Sequence, residues 1–293
     1  MLIPKEQFKA IILAVAKKHK FRPGIVEKDY YLTVILNAVD ACFGDKIVFK
    51  GGTLLNKIHL NYHRLSEDLD FVYNGKEELR SRSNRSKAIT PIREAMPNCL
   101  KQIDLRSDKP GGEGFNNSTQ YIFNVKYASF ITDKEENIKI EVGLRQQPID
   151  KPIYNTIKHF YQDPFTGEDL IPANKILSLS LNEAIAEKLK AAITRRDIAI
   201  RDYYDLWHIA EAKFNFHDKK FVGIFKKKLE GEGYRGNFTH NFGLTQDKVE
   251  LLRRQVESDL IPVIRADERF DLDKVFARFD EILNAKKKYF PYR

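Results

Sequence analysis

The sequence contains little of what zinc sites, disulfide frameworks and membrane spans require. Only two cysteines, Cys42 and Cys99, occur in 293 residues, and neither stands in a CxxC pattern. They therefore predict neither a zinc site nor a disulfide framework, and a reducing, cytoplasmic setting is expected. The seven histidines show no HxH or HExxH spacing, which argues against a histidine-based metal site.

Long apolar runs are also absent. The longest one near the start, Ala10–Ala16, is too short to cross a bilayer. Together with Phe8, its apolar residues instead follow the spacing of an amphipathic helix. No small-residue cleavage pattern follows this stretch, so neither a membrane span nor a signal peptide is expected.

The chain does contain enough apolar material for a core. It is 42% hydrophobic and 12% aromatic beside 31% charged residues, a composition typical of a folded globular protein. Fifty Lys and Arg against 41 Asp and Glu give a net charge of +9. This surplus suits an acidic partner such as nucleic acid or a nucleotide, without specifying one.

The pattern of apolar residues divides the chain into three parts. Residues 1–150 combine helical patterns with short strands, and residues 175–293 are mainly helical. Between them, 151–174 is rich in proline and holds Gly167, which is typical of an interdomain crossing. The predicted fold is α/β (α+β): a mixed sheet flanked by helices, then a mainly helical C-terminal domain that completes an active-site cleft.

Two glycines stand between a predicted strand and a predicted helix. The strand Lys46–Lys50 ends at Gly51 and Gly52, and Thr53 begins a helix-compatible stretch. Glycine lets backbone amides approach a phosphate closely, and a helix N-terminus favours negative charge. The segment is a candidate phosphate-binding loop, although a Gly-Gly pair is more often an ordinary turn.

Three carboxylates lie on predicted strands of the same part. Asp68 and Asp70 share one face of the strand Ser66–Tyr73, and Glu141 lies on the polar face of Asn137–Arg145. Like charges in an otherwise apolar strand are costly without a cation or another partner. The set predicts a Mg²⁺ site that handles a triphosphate; the alternative is a DxD pattern that occurs by chance.

These segments resemble a known family. Lys50–Leu55 and Arg64–Asp70 are similar to the GG[ST] and RxSxDxD motifs of the AbiEii/AbiGii toxin family, within the polymerase-beta-like nucleotidyltransferase superfamily. Glu27–Tyr30 is similar to the family segment that precedes the first strand. Ala186–Ala191 and Arg201–Leu206 resemble its AEKLxA and RDxxDL blocks. The last quarter of the chain carries no matching motif.

The resemblance implies an enzyme that moves a nucleoside monophosphate from an NTP to an acceptor hydroxyl with Mg²⁺ as cofactor. The implied catalytic residues are Asp68, Asp70, Lys188, Asp202 and Glu141. The implied nucleotide-binding residues are Gly51, Gly52, Thr53, Arg64, Ser66 and Lys188. The metal ligands would be Asp68, Asp70 and Glu141.

Some of these residues also have a purely structural interpretation. The side chain of Lys188 could reach solvent, and Arg64 could pair with Glu67 at the surface. Asp202 and Asp205 lie one helical turn apart and could belong to a salt-bridge network that fixes two helices.

The resemblance further implies a bacterial toxin of a toxin–antitoxin or phage-defence pair, with tRNA as acceptor and a cognate antitoxin as possible partner. Basic segments that could bind RNA are Arg80–Arg93, Lys226–Lys228 and Lys286–Lys288. The aromatic residues within Tyr203–Trp207 are predicted to pack rather than to stack on bases. Two rival functions stay open: an antibiotic-type nucleotidyltransferase with a small-molecule acceptor, and a non-catalytic nucleic-acid-binding protein of the same fold.

Overall fold

The computed structural model describes residues 4–164, 166–234 and 240–284. The chain divides into two compact units, Met1–Leu179 and Ser180–Arg293. The first unit combines helices with a sheet, whereas the described part of the second is helical without strands. None of the described helices is both long and apolar enough to cross a membrane.

The helices of the first unit follow the amphipathic patterns of the sequence. They are α1 Lys5–His19, α2 Pro23–Phe43, α3 Gly51–Leu54 and α4 Arg82–Lys101. A π-helical turn, Leu55–His59, continues α3. Ser81 caps α4, because its hydroxyl accepts a hydrogen bond from the amide of Asn84 at 3.0 Å.

The described strands form one mixed sheet, which confirms the predicted fold class. They are β1 Ile47–Lys50, β2 Leu69–Tyr73, β3 Arg106–Ser107, β4 Glu113–Phe115, β5 Gln120–Ala128, β6 Glu135–Gly143, β7 Ile153–Thr156 and β8 Lys175–Ser178. Their order is β3-β5-β6-β2-β1-β8-β7, and β4 also pairs with β5. The antiparallel pair β1–β2 and the parallel pair β2–β6 place three segments that are distant in sequence side by side.

The sheet is held by strands that bury alternate residues. In β5 the buried side chains are Tyr121, Phe123, Val125 and Tyr127, and in β6 they are Ile138, Ile140 and Val142. The residues between them leave polar groups on the other face, as the period of two requires.

The structure places the boundary between the units later than the proline-rich segment suggests. β7 lies inside 151–174 and pairs with β8, which in turn pairs with β1. The amide of Leu179 donates to the carbonyl of Phe49 at 3.0 Å, so the chain belongs to the sheet of the first unit up to that residue. Each of these strands has only four residues, too few for a period of two to be recognised in the sequence.

The two cysteines are a correction to the sequence analysis. Cys42, near the end of α2, and Cys99, in α4, form a disulfide with a Cα–Cα distance of 6.1 Å. Their separation of 57 positions in the sequence gave no sign of this pairing. It arises because α2 packs against α4, which brings two buried or half-buried thiols together.

The described part of the second unit consists of helices around an aromatic core. They are α5 Leu181–Thr194, α6 Ile200–Glu211, α7 Lys219–Gly231, α8 Gln246–Gln255 and α9 Leu272–Asn284. Ser180 caps α5, since its hydroxyl accepts a hydrogen bond from the amide of Glu183 at 3.3 Å. Tyr203 and Tyr204 are fully buried, so they pack as expected. The basic segment Lys286–Lys288 lies outside the described residues.

Candidate active site

Three strands align charged residues of the candidate site. Lys50 of β1, Asp70 of β2 and Glu141 of β6 occupy one register position across the sheet. Asp68 stands one residue before β2 and shares the face of Asp70, because alternate residues of an extended chain point the same way. The three predicted metal ligands therefore lie on neighbouring strands.

A lysine lies among these carboxylates. The Lys139 ammonium is 3.7 Å from Asp68 Oδ2 and 3.6 Å from Glu141 Oε2. Burial works to lower the pKa of Lys139, but the negative charges of Asp68, Asp70 and Glu141 outweigh it and raise that pKa. We call Asp68, Asp70, Glu141 and Lys139 the carboxylate cluster. Within the described ranges, no three His, Cys, Asp or Glu side chains form a ready metal site; here the acids gather around an ammonium.

Gly51 is required by the position of Asp70. Its φ of +81° lies in the left-handed region, and a Cβ there would stand 2.3 Å from Asp70 Oδ2. A side chain at this position would therefore displace the carboxylate as well as strain the backbone. Gly52 similarly leaves room for Arg64, whose Nη2 would lie 2.7 Å from an added Cβ. The glycine pair is thus an ordered part of the candidate site.

The other predicted nucleotide-binding residues surround this turn. The Thr53 hydroxyl donates to the carbonyl of Asp68 at 2.5 Å and joins the start of α3 to the approach to β2. Arg64 is buried, and its Nη1 donates to the carbonyl of Leu65 at 2.9 Å. The alternative interpretation, in which Arg64 pairs with Glu67 at the surface, needs an exposed side chain and does not agree with this burial. Ser66 is also buried, and its hydroxyl would lie 3.6 Å from a Cβ at Gly52.

A buried ion pair fixes the helix that follows the glycines. Lys57 Nζ lies 2.8 Å from Asp29 Oδ1 and donates to Thr33 Oγ1 at 2.8 Å and to the Tyr62 hydroxyl at 3.1 Å. The Tyr161 hydroxyl donates to Asp29 Oδ2 at 3.0 Å. Burial lowers the pKa of Lys57, and Asp29 opposes that effect. This pair ties the π-helical turn after α3 to α2.

The sequence analysis did not single out Lys57 or the role of Asp29. The available signal was a lysine within the apolar run Leu54–Ile58, since a buried lysine needs an acidic partner. Glu27, from the same block as Asp29, accepts hydrogen bonds from Ser129 Oγ at 2.5 Å and from the amide of Phe130 at 2.7 Å. The block 27–30 thus connects parts of the first unit.

In the second unit, the residues of the AEKLxA and RDxxDL blocks form one ionic cluster. Lys188 Nζ lies 2.8 Å from Asp202 Oδ1 and 2.9 Å from Asp205 Oδ2. Arg195 Nη1 contacts Asp202 Oδ2 at 2.9 Å. Only 10% of the Lys188 side chain is exposed, so its ammonium does not extend into solvent. These contacts form a salt-bridge network of the kind that the structural interpretation of Asp202 and Asp205 predicts. The network links α5 to α6.

Part of the predicted basic surface is engaged inside the protein. Lys228 is 1% exposed and lies 2.6 Å from Glu183 and 2.8 Å from Glu187, so its assignment to an RNA-binding surface is wrong. Arg93 donates to the carbonyl of Gly111 at 2.8 Å. These cations are fixed because they neutralise or cap buried groups of their own unit.

Arg85 is engaged in the same way. Its guanidinium donates to the carbonyls of Leu79 and Arg80 at 2.8 Å each and to that of Asn117 at 2.9 Å. Arg82 and Lys87 remain exposed on α4. The segment Arg80–Arg93 therefore contributes fewer accessible charges than its composition suggests.

Comparisons with known proteins bear on the family and the fold. The family model of the nucleotidyl transferase AbiEii toxins of type IV toxin–antitoxin systems matches residues 34–285. No curated protein sequence matches the chain. Among solved structures, MenT4, the nucleotidyltransferase toxin Rv2826c of Mycobacterium tuberculosis H37Rv, has 19% identity and a TM-score of 0.57 over 94% of this chain and 97% of that one. JHP933 from Helicobacter pylori has 16% identity and a TM-score of 0.48 over 92% of this chain and 94% of that one.

The match to the family model covers most of the chain, and the likeness to MenT4 supports the fold. The glycine turn, the carboxylate cluster and the Lys188 cluster all lie within the matched residues. The chain therefore belongs to the AbiEii family of nucleotidyltransferase toxins of type IV toxin–antitoxin systems, and it is a nucleotidyltransferase.

Proposed function

We propose that this nucleotidyltransferase uses a divalent ion, Mg²⁺, to move a nucleoside monophosphate from an NTP to a hydroxyl of RNA, at the 3′ end of tRNA. The observation that carries the proposal is the carboxylate cluster packed against the turn at Gly51. Three acids on adjacent strands, beside a backbone turn without side chains, can serve both a cation and a triphosphate.

The donor set of the cluster fits a hard divalent ion. Asp68, Asp70 and Glu141 offer only carboxylate oxygens, which are the ligands that Mg²⁺ prefers. Three acids and the Lys139 ammonium leave a net charge of −2, the amount that one divalent ion neutralises. When bound, the ion would supply positive charge against the phosphates.

The residues around the glycine turn would bind the nucleotide. Gly51 and Gly52 leave space for phosphate oxygens, and Thr53 and Ser66 provide hydroxyls. Arg64 would supply a guanidinium, which can bind phosphate oxygens in a bidentate manner. Its burial between the turn and Leu65 limits the conformations that it would lose on binding.

Lys188 and Asp202 of the second unit are assigned to the same reaction. Lys188 would balance charge on the triphosphate, and Asp202 would position the acceptor hydroxyl or take its proton. Glu141 is the other candidate for that last role. In the Lys188 cluster the ammonium is already held between two carboxylates, which orients it before a nucleotide arrives.

The net charge of +9 favours a polyanionic acceptor over a small neutral molecule. A toxin of this family is expected to be paired with a cognate antitoxin, and phage defence is one setting for such a pair. The enzyme is expected to act in the cytoplasm, where NTP and tRNA are available.

A transfer assay tests the acceptor directly. The purified protein is incubated with one labelled NTP at a time and Mg²⁺, either with purified tRNA or with a panel of small hydroxylated molecules. We expect label in tRNA and a preference for one NTP. Label that enters only small molecules would replace this proposal by the antibiotic-type function.

A variant pair tests the cluster in the same assay. Asp70→Asn should lower the transfer rate by about 100-fold or more, because the variant loses a carboxylate that would hold the Mg²⁺ ion, and the ion supplies the positive charge against the phosphates. Asp45→Asn removes an exposed carboxylate of the same unit and should leave the rate unchanged. Equal rates for both variants would exclude the carboxylate cluster as the catalytic centre.

A further inference from the structure

The second unit has an open pocket that the catalytic assignment does not use. Its volume is about 570 Å³, within the range of ligand-binding sites, and it is bounded by the end of α6, the end of α8 and the start of α9. Trp207, the only tryptophan in the chain, lines it together with Phe270. Phe270 is fixed by an edge contact with Tyr204, at 5.4 Å between ring centroids. We call it the Trp207 pocket.

The aromatic residues at this pocket differ from those in the core. Tyr203 and Tyr204, on the same helix as Trp207, are fully buried, whereas Trp207 and Phe270 are only partly buried. Partly exposed aromatic side chains at a concave site offer surface on which a flat ligand can stack. Packing alone therefore accounts for the two tyrosines better than for Trp207.

Two cations at the pocket have no partner among the described residues. Arg269 and Lys274 are exposed and form no ion pair there, although acids are near in sequence. The third cation, Arg253, is neutralised by Asp273 through contacts of 2.7 and 3.1 Å. The pocket thus combines aromatic surface with two available positive charges.

The acids of the pocket are largely occupied. The Asp271 carboxylate accepts from the amide of Asp273 at 3.0 Å and caps the start of α9. Asp273 is held by Arg253, as described above. Glu257 is the remaining carboxylate, and the lining itself, which does not include Asp273, has three cations and two carboxylates in all. Among the described residues, Arg269, Lys274 and Glu257 are the charged side chains of the lining with no polar contact.

A pocket of the first unit gives a useful contrast. It has a volume of about 460 Å³ and is also lined by aromatic and basic residues. Two of its cations are engaged: Arg106 lies 2.8 Å from Glu135 and Lys126 lies 3.6 Å from Asp108. Lys101 is its remaining cation. Available charge therefore distinguishes the Trp207 pocket from a site of similar composition.

We propose that the Trp207 pocket binds unpaired RNA, with a base against Trp207 and Phe270 and the adjoining phosphates on Arg269 and Lys274. Stacking of bases on aromatic side chains, with cations along the backbone, is how proteins bind single-stranded nucleic acid. The inference rests on the proposed RNA acceptor and assigns to the second unit a site that holds it.

The tryptophan fluorescence of the protein reports on this pocket directly, because Trp207 is the only tryptophan in the chain. A short single-stranded RNA, added without NTP or metal, should quench the Trp207 fluorescence, and the anisotropy of the same RNA carrying a dye should give the same Kd. The double variant Arg269→Ala with Lys274→Ala should raise that Kd by about tenfold at low salt, because two phosphate contacts are lost.

The matched control removes two charges from the other pocket. Lys101→Ala with Arg106→Ala changes the net charge by the same amount and should leave the Kd within about twofold. An equal loss in both double variants, or RNA binding without a change in Trp207 emission, would overturn the proposal. So would an acidic peptide that quenches Trp207 as well as RNA does.

The test is separate from catalysis. RNA binding at Trp207 without label transfer to RNA would contradict the proposed function and leave the binding site standing. Label transfer to tRNA without a change in Trp207 fluorescence would support the proposed function and contradict the binding site. Trp207→Leu, followed by anisotropy, checks the stacking contribution with a variant that keeps an apolar side chain in the pocket.

Discussion

At the scale of single residues, Gly51 decides where the carboxylate of Asp70, a proposed catalytic group, can lie. A methyl group there would collide with Asp70 and would occupy a left-handed backbone conformation. We predict that Gly51→Ala lowers the free energy of unfolding by about 1–2 kcal/mol and reduces nucleotide transfer as strongly as Asp70→Asn. Urea unfolding and the transfer assay measure the two effects.

Gly44 provides the control for that variant. Its φ of +52° is also left-handed, but an added Cβ would meet nothing within 4 Å. Gly44→Ala should therefore cost stability and preserve transfer. Loss of transfer in Gly44→Ala would mean that backbone strain, rather than displacement of Asp70, explains the effect at Gly51.

Lys139 is the cation that the carboxylate cluster holds in this structure. Lys139→Met should strengthen the binding of Mn²⁺ several-fold, because three carboxylates then lack their internal counter-charge. Calorimetry in the absence of nucleotide measures the change. Lys126→Met, which removes a lysine of β5 that is paired with Asp108, should leave the affinity unchanged.

The direction of the Lys139 effect is informative. Tighter binding would show that the ammonium competes with the divalent ion for the acids. Weaker binding would show that the ammonium orders the carboxylates for the ion, and it would contradict the competition that we predict.

At the scale of elements, the buried Lys57–Asp29 pair connects the helix of the glycine turn to α2. Lys57→Met should lower the free energy of unfolding by about 3–5 kcal/mol, because Asp29 is left charged and buried without its partner. Denaturant unfolding measures the loss. A pair of exposed residues serves as control: Lys5→Met breaks its contact with Asp133 and should change stability by less than about 1 kcal/mol.

A double variant separates charge from packing in the same element. Lys57→Met with Asp29→Asn removes both charges and should recover part of the stability lost in Lys57→Met. No recovery would indicate that the hydrogen bonds to Thr33 and Tyr62 matter more than the ion pair.

At the scale of the whole molecule, two buried lysines of the second unit have different predicted roles, one in nucleotide transfer and one in stability. Lys188→Met should reduce nucleotide transfer by about 100-fold or more if the ammonium serves the triphosphate. Lys228→Met, which removes the ammonium 2.6 Å from Glu183, should lower stability without changing the transfer rate of the folded protein. Rates are compared at a temperature where both variants remain folded.

These two variants also decide between the interpretations of the Lys188 cluster. Transfer that is preserved in folded Lys188→Met would leave only the salt-bridge network between α5 and α6. Transfer that is lost in both variants would show that the geometry of the second unit matters more than either charge.

Much of the site was predictable because its residues break local patterns. Asp68 and Asp70 interrupt an apolar strand, and Gly51 and Gly52 interrupt the passage from strand to helix. Such conflicts between a residue and its surroundings are visible in sequence, and the motifs that contain them resemble those of the family that the family model identifies. The roles of the individual residues in catalysis stay predictions.

Contacts between distant residues were not predictable in the same way. No local signal identifies the partners in the Cys42–Cys99 disulfide or in the ion pairs of Lys57 and Lys228, because the partners lie 57, 28 and 45 residues away. Whether a lysine is an exposed charge or a buried partner depends on which helix packs over it. Lys139 shows the same dependence, since only the register of β2 and β6 brings it to Asp68.

The sequence by itself determined the longer strands and helices, the glycine turn and the acidic residues, because spacing and residue type over a few positions define each of them. Only the tertiary structure decided which charges are available for a ligand. It buried Lys228, anchored Arg85 and Arg93, and left Arg269 and Lys274 exposed, because an ion pair needs two groups within about 4 Å and only the folded chain sets that distance.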